Sequence, residues 1–507
     1  MKKLLALLLA ASFVFVAAAC GSSPSDSASV TTTNVNETTE AETEFDFYDL
    51  LPNEKYDGYK FVILTRDAQH HTKEVYSTQI TGEVVNDTVF ERNSRVEEHF
   101  NIKIEPFEVS ESNELILTQT ISKTVMADEA AFDLALAHTV NAGSVALEGV
   151  LYNWNDMPYN DFTRDWWNTS VAEELNFQNH LFLAVSDMCI SAVDYTWVLV
   201  FNKKLQEEYN IGSIYEDVNK KNWTIDRFNE VIKAFSNDVN GDGKYGLEDL
   251  YGFSTHFNSA VNNWMFALDQ KVTAMGDDGY PVLCSNTPKM ISIVEKMYDI
   301  LYNGNSSMYF SDAVVGKTGA STNLGNVTGA FAAAHDSALA NFFSEGHTFI
   351  AALRLYVIEL LRSMETDFGI IPFPMWDSNQ EGYYTHVDGH APLMCLPLTL
   401  VDPERASAII EALSYESYRL VMPAVYDIVL ESKYARDEES AEMLDIILEG
   451  RTYTFGYIYD SWKGMQWALT NLMNSKKTDF ASHYAKTEKS AQKHLDSVIK
   501  AFESVID

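Results

Sequence analysis

The chain has 507 residues, 46% of them hydrophobic, and a formal net charge of −37. That length exceeds what one compact core holds, so two or more domains are expected. The acidity argues against nucleic acid or an anionic lipid surface as partner, since both would repel it.

Lys2 and Lys3 precede an apolar run from Leu4 to Val16, then Ala17-Ala18-Ala19-Cys20. Residues 1–19 read as a signal peptide, with an apolar run too short for a membrane span. Small residues directly ahead of a cysteine resemble a bacterial lipobox, with Ala17 where Leu is usual. On that reading Cys20 is acylated and anchors the chain to the extracellular face of the cell membrane. Plain secretion with a free Cys20 is the alternative. Residues 20–54 are rich in Ser, Thr, Asn and Glu up to Glu44, and read as a tether that cannot bury enough apolar surface to fold. Cys189, Cys284 and Cys395 are spaced for neither a disulfide framework nor zinc, and read as small buried hydrophobes.

Folding is expected to begin near Lys55. Tyr59–Thr65 has the composition of a buried strand. Val85, Val89, Val96 and Phe100 fall on a helical spacing over 82–100, and Asn101–Glu105 alternates as a second strand. Strand, helix and strand make a βαβ unit. A helix over Leu115–Met126 and a strand over Phe132–Ala137 extend it into a parallel α/β lobe. Leu181–Val185 and Tyr195–Asn202 read as further strands, and Lys203–Tyr209 and the stretch after Thr224 as helices.

The run Asp238-Val-Asn-Gly-Asp-Gly-Lys-Tyr-Gly-Leu-Glu-Asp249 carries oxygen side chains at its first, third, fifth and twelfth places and Gly243 at its sixth. A hard cation needs six to eight oxygens, and such a loop supplies them by alternate residues around a sharp turn. The reading is a calcium site of Asp238, Asn240, Asp242, Lys244 and Asp249, with Asp where an EF-hand has Glu. The bland reading is an Asx-rich turn. No exiting helix follows, so the loop reads as a structural staple. A dockerin needs two such loops, and one is present.

The lipobox, the tether, Gly149-Val-Leu-Tyr-Asn-Trp154, Trp166-Trp-Asn168, Phe201-Asn-Lys-Lys-Leu205, Asn222-Trp-Thr-Ile-Asp226, the acidic loop with Tyr251-Gly-Phe253, and Asp367-Phe-Gly-Ile-Ile-Pro-Phe-Pro374 stand in this order. Together they resemble the extracellular solute-binding proteins of family 1, the lipoprotein receptors of carbohydrate ABC importers. The resemblance implies a two-lobed periplasmic-binding-protein-like α/β fold, with a hinge crossed more than once and a ligand between the lobes. It implies a first lobe of 55–190 plus 375–417 and a second of 191–374 plus 418–507. The crossings are expected near Ser186–Tyr195 and Ile371–Asp377. It also implies a monomer delivering a sugar or oligosaccharide to permease subunits.

A sugar offers a CH face for aromatic stacking and a hydroxyl rim for carboxylates and amides. Candidates in loops or at lobe edges are Trp166, Trp167, Asp187, Tyr195, Trp264, His335, Asp336, Trp376 and Trp462; core packing is the competing role for each. His335 and Asp336 follow Gly329–Ala334, which reads as a small-residue strand ending at the cleft. His386 and His390 stand four apart, but Gly389 and Pro392 argue against a helical metal pair. Gly-x-Ser-x-Gly, P-loop and His-Glu-x-x-His motifs are missing, so a binding protein is expected rather than an enzyme. A receptor for a peptide or other solute, or less readily a glycoside hydrolase, is the alternative.

Overall fold

A computed structural model of the chain describes residues 46–110, 115–256, 259–319, 330–431, 438–459 and 464–506. Cys20, the signal segment and Trp462 lie outside the described residues. Packing begins ahead of Lys55. Phe47 opens a short 3-10 turn and its ring stacks on Tyr415 at 3.9 Å.

The chain opens with β1 (Tyr59–Arg66), α1 (Gln69–Val75), α2 (Val84–Phe100), β2 (Ile102–Val109), α3 (Ile116–Met126), β3 (Leu134–His138) and α4 (Thr139–Ala146). In α2 the residues Val85, Val89, Val96 and Phe100 are buried, the stripe their spacing foretold. Asn101 ends the helix in the left-handed region at φ 51, where Asn pays little. β1 pairs in parallel with β2 (Phe61 opposite Ile104) and with β3 (Leu64 opposite Ala135). Leu181–Val185 forms no strand; Ala184 makes a single bridge to Met394.

After α5 (Ile190–Asp194) a second sheet forms from β4 (Trp197–Asn202), β5 (Ser236–Asn237), β6 (Leu250–His256), β7 (Ser307–Phe310), β8 (Thr348–Arg354) and β9 (Phe368–Ile371), with α6 (Ser259–Ala267) and α7 (Ala330–Ser344) packed around it. Its order is β9-β4-β8-β6-β5, with β7 also on β6. β4 is buried at every position, as a central strand requires. From Ala330 on, the stretch expected as a small-residue strand before His335 is helical, the start of α7. Alanine runs favour helix, and nothing polar interrupts the run to mark a strand end.

The chain then follows the second sheet beyond Ile371. Gln380 and Tyr383 bond to backbone carbonyls of Ala267 and Val218. It reaches the first sheet only at β10 (Pro392–Cys395), antiparallel to β3, so the first sheet reads β10-β3-β1-β2. The passage between sheets is therefore residues 387–391 rather than Ile371–Asp377. α8 (Pro403–Glu416) lies against α2, and residues 417–421 lead to α9 (Met422–Glu431). α10 (Phe455–Tyr459) and α11 (Phe480–Ile506) close the chain. These last helices pack on α4 and on the segment around Phe177: α10 lies against α4, and Phe502 of α11 stacks on Phe177 at 4.6 Å.

Candidate functional site

In open α/β sheets, ligands bind outside the carboxyl ends of the strands. Among the described residues, four strands of these two sheets end in a basic residue: β1 in Arg66, β3 in His138, β6 in His256 and β8 in Arg354. All four are buried. The passages between the sheets place Tyr195, Asp388 and His390 among them.

The contacts run from one sheet to the other. Arg66 Nη2 donates to the His390 carbonyl at 2.6 Å. The His390 ring lies 5.0 Å from His138 and stacks over Tyr195 at 5.7 Å. Its Nδ1 meets Asp388 Oδ1 at 2.5 Å, and the same oxygen lies 3.4 Å from Arg354 Nη1. Arg354 also pairs with Asp336, which accepts from the Tyr356 hydroxyl. The guanidinium is ringed by Tyr356, Trp197 and Tyr195 at 5.1, 5.4 and 5.7 Å, close enough for cation–π attraction. Gly389 is required between these groups: a Cβ there would meet Val140 Cγ1 at 2.2 Å and the Tyr457 hydroxyl at 2.7 Å.

Burial sets the charges. It alone would raise the Asp388 carboxyl, but Arg354 and His390 outweigh it and hold the group well below the usual range. Burial, with Arg66 and His390 nearby, keeps His138 neutral far below its ordinary pKa. Among the described residues neither ring nitrogen of His138 has a hydrogen-bond partner, nor do Trp197 Nε1 and Asn263 Nδ2. A buried polar atom left this way costs about 1–3 kcal/mol until something pairs with it.

Beside this seam runs a shallow groove, partly open to solvent, between α1, α5, α9 and the turn after β8; Lys73, Asp194, Tyr356 and Ile428 are among its walls.

The structure gathers three of the expected residues at the seam: Tyr195, Asp336 and, through α7, His335. The His335 ring lies 5.6 Å from His256, and its Nε2 lies 3.3 Å from Asp312. Asp187 sits at the start of the first passage, and burial raises its carboxyl to about 7 against the pull of Arg451. Trp166 and Trp167 serve packing instead. Their indole nitrogens donate to the two oxygens of Glu411 at 2.8 and 2.9 Å. Trp264 is fully buried between Phe228, Phe253 and Phe373 in the second sheet's core. Trp376 lies half-buried on the surface between Lys289 and Lys296. His386 is buried between Phe266 and Tyr457, and burial lowers its pKa to about 4.

Arg66, His138, His256, Arg354 and Asp388 were not singled out from sequence. The signal was present: each of four apolar strands stops at a cation or imidazole.

In the acidic loop Gly243 takes a positive φ of 76, as its turn requires. Asp238 accepts from the amides of Gly241, Asp242 and Gly243, Asn240 from Asp242, and Asp242 from Lys244. Asp249 accepts from Val239 and Gly246, and the Gly246 and Val239 amides help hold its carboxyl below the usual range. The donors suit a hard cation by type. Among the described residues, though, no three His, Cys, Asp or Glu side chains converge on a metal position.

No protein-family model and no curated protein matches the sequence. Solved structures do match its shape. The cyclic α-maltosyl-1,6-maltose binding protein of Arthrobacter globiformis is similar at TM-score 0.54 and 12% identity, over 88% of this chain and 99% of that one. An ABC substrate-binding protein from Listeria monocytogenes, in complex with cycloalternan, gives 0.51 and 10%, over 88% and 100%. UgpB from Mycobacterium tuberculosis, in complex with glycerophosphocholine, gives 0.51 and 14%, over 87% and 98%. The chain has the two-lobed α/β fold of these binding proteins.

Proposed function

We propose that the chain is the solute-binding subunit of an ABC importer, capturing a sugar or oligosaccharide between its lobes and passing it to permease subunits. The observation that carries this reading is the set of buried, unspent polar atoms on His138 at the end of β3, Trp197 at the start of β4 and Asn263 on α6. A neutral imidazole both donates and accepts, as a hydroxyl does, so the set suits polyhydroxy solutes. Asp336 and Asp388 neutralise Arg354, which favours an uncharged ligand over an anion. Two of the similar structures are named for cyclic glucans or hold one, which supports the sugar class. The glycerophosphocholine complex supports a non-sugar solute as the second reading. The role is binding without catalysis. Cys20 would hold the chain, as a monomer, on the outer membrane surface through its lipid. The loop at Asp238–Asp249 would take structural calcium.

Thermal unfolding against linear and cyclic oligosaccharides, peptides and glycerophosphodiesters tests the reading. An oligosaccharide at about 100 times its Kd should add about 2.7 kcal/mol of stability. The same ligand should shrink the radius of gyration in X-ray scattering, as hinge closure requires. Stabilisation by peptides alone would overturn the sugar assignment, and product formed from any glycan would overturn the non-catalytic one.

A further inference from the structure

The chain passes between the two sheets at residues 186–196 and 387–391, and residues 417–421 join α8 to α9 over α2. On the side of the first sheet each is held by a buried charged side chain. Glu74 of α1 holds the first, its Oε2 accepting from the Ser191 amide at 2.9 Å and the Ser191 hydroxyl at 2.8 Å. Arg66 holds the second through the His390 carbonyl. Arg92 of α2 holds the third, with Nη1 3.2 Å from Ser417 Oγ.

The three clamps form one cluster. Arg92 Nη2 donates to the carbonyl oxygens of Glu74 at 2.8 Å and Val75 at 3.2 Å. Arg66 Nη2 lies 3.3 Å from His71 Nδ1. The Ser191 hydroxyl lies 3.2 Å from the same imidazole nitrogen. The same nitrogen faces Glu74 Oε1 at 3.4 Å. One of the two carries a proton in that contact, and which one depends on the tautomer of His71.

The charges around Glu74 come from every neighbouring element. Its own helix brings His71 and Lys73, β1 brings Arg66, and α2 brings Arg92. From the first passage come Asp194, which Lys73 meets at 3.1 Å, and Cys189, whose thiol burial pushes up into the neutral form. Burial also brings Arg92 down to about 10, still cationic near neutrality. Glu74 is the group able to change: burial raises it to about 7, against the Ser191 bonds and Arg66.

We propose that Glu74 is a positioning residue of the hinge, and that its proton couples the first passage to pH. The passage is clamped while Glu74 is protonated and released from α1 as it ionises. The sign follows from linkage. A carboxyl exposed by release binds its proton less tightly than one in the clamp, so protons favour the clamp. The device belongs to the hinge and does not depend on which solute binds.

Amide hydrogen exchange over residues 187–196 of the ligand-free protein tests this, followed from about pH 5.5 to 8.5 and corrected for intrinsic chemistry. Wild-type protection should fall by more than about tenfold across that window. Glu74→Gln, which mimics the protonated form, should keep protection high and flat. A flat wild-type profile, or a variant that keeps the wild-type slope, overturns the proposal. Should Glu74→Gln not fold, carbon-detected titration of the wild-type glutamates decides. One must titrate with the loss of protection; if every glutamate titrates below about pH 5 the proposal is wrong.

Discussion

Glu411 satisfies two buried indoles with one carboxylate, and it lies 245 and 244 residues from them along the chain. Asn160 adds a third donor at 3.1 Å. Burial raises this carboxyl even so, because neutral donors replace bulk water only in part. Glu411→Ala should therefore strand both N–H groups and cost about 2–4 kcal/mol in urea unfolding, with Glu411→Gln costing less. A loss below about 0.5 kcal/mol for the alanine variant would mean the indoles find other partners. The same geometry explains why sequence marked the tryptophan pair as unusual yet placed it wrongly. A Trp-Trp in a polar loop is visible locally, while the acceptor that turns both rings inward arrives from α8. Trp264 was misplaced for a related reason: only the fold shows that its helix is buried on all sides.

At the scale of elements, amphipathic and fully apolar patterns were legible. α2, β1 and β4 stand within two residues of where periodicity put them. The failures fall where two states share a composition. The run before His335 is helix because alanine prefers helix, and Leu181–Val185 has strand composition but only a bridge for a partner. The strand-end cations were equally readable, but they gain meaning only when topology aligns those ends. The loop at Asp238–Asp249 lies between these cases, since its spacing fits a cation while its carboxylates already serve backbone amides. If calcium fills it, EDTA should lower the melting temperature, and Asp242→Ala should abolish that dependence without altering ligand preference. Extracellular calcium modules bind at about 10⁻⁴–10⁻³ M, so the comparison belongs at millimolar calcium. A melting temperature indifferent to EDTA makes the loop an Asx turn.

For the whole molecule, the order of motifs gave the two-lobed plan, but not which buried charges tie the lobes together. That tie runs through Asp388, which sits between His390 on the first sheet's side and Arg354 at the end of β8. Its ionised form is favoured on folding, in contrast to Glu74, so the two carboxyls give stability opposite dependences on pH. Asp388 is held well below its unfolded value of about 4, so its contribution is present above that pH and is lost as acid protonates it. Glu74 is raised, so its contribution is present below about 4.5 and is lost as pH climbs through about 7. Asp388→Asn removes the first term. It should lower stability near pH 7 by about 3 kcal/mol, because Arg354 then keeps Asp336 as its one carboxylate. It should also flatten the fall in stability between about pH 4 and pH 2. Chemical unfolding of wild type and variant across that range reads both effects. An unchanged acid slope would show that the charge tying the lobes lies elsewhere, and Arg354 with Asp336 would then be the pair to test.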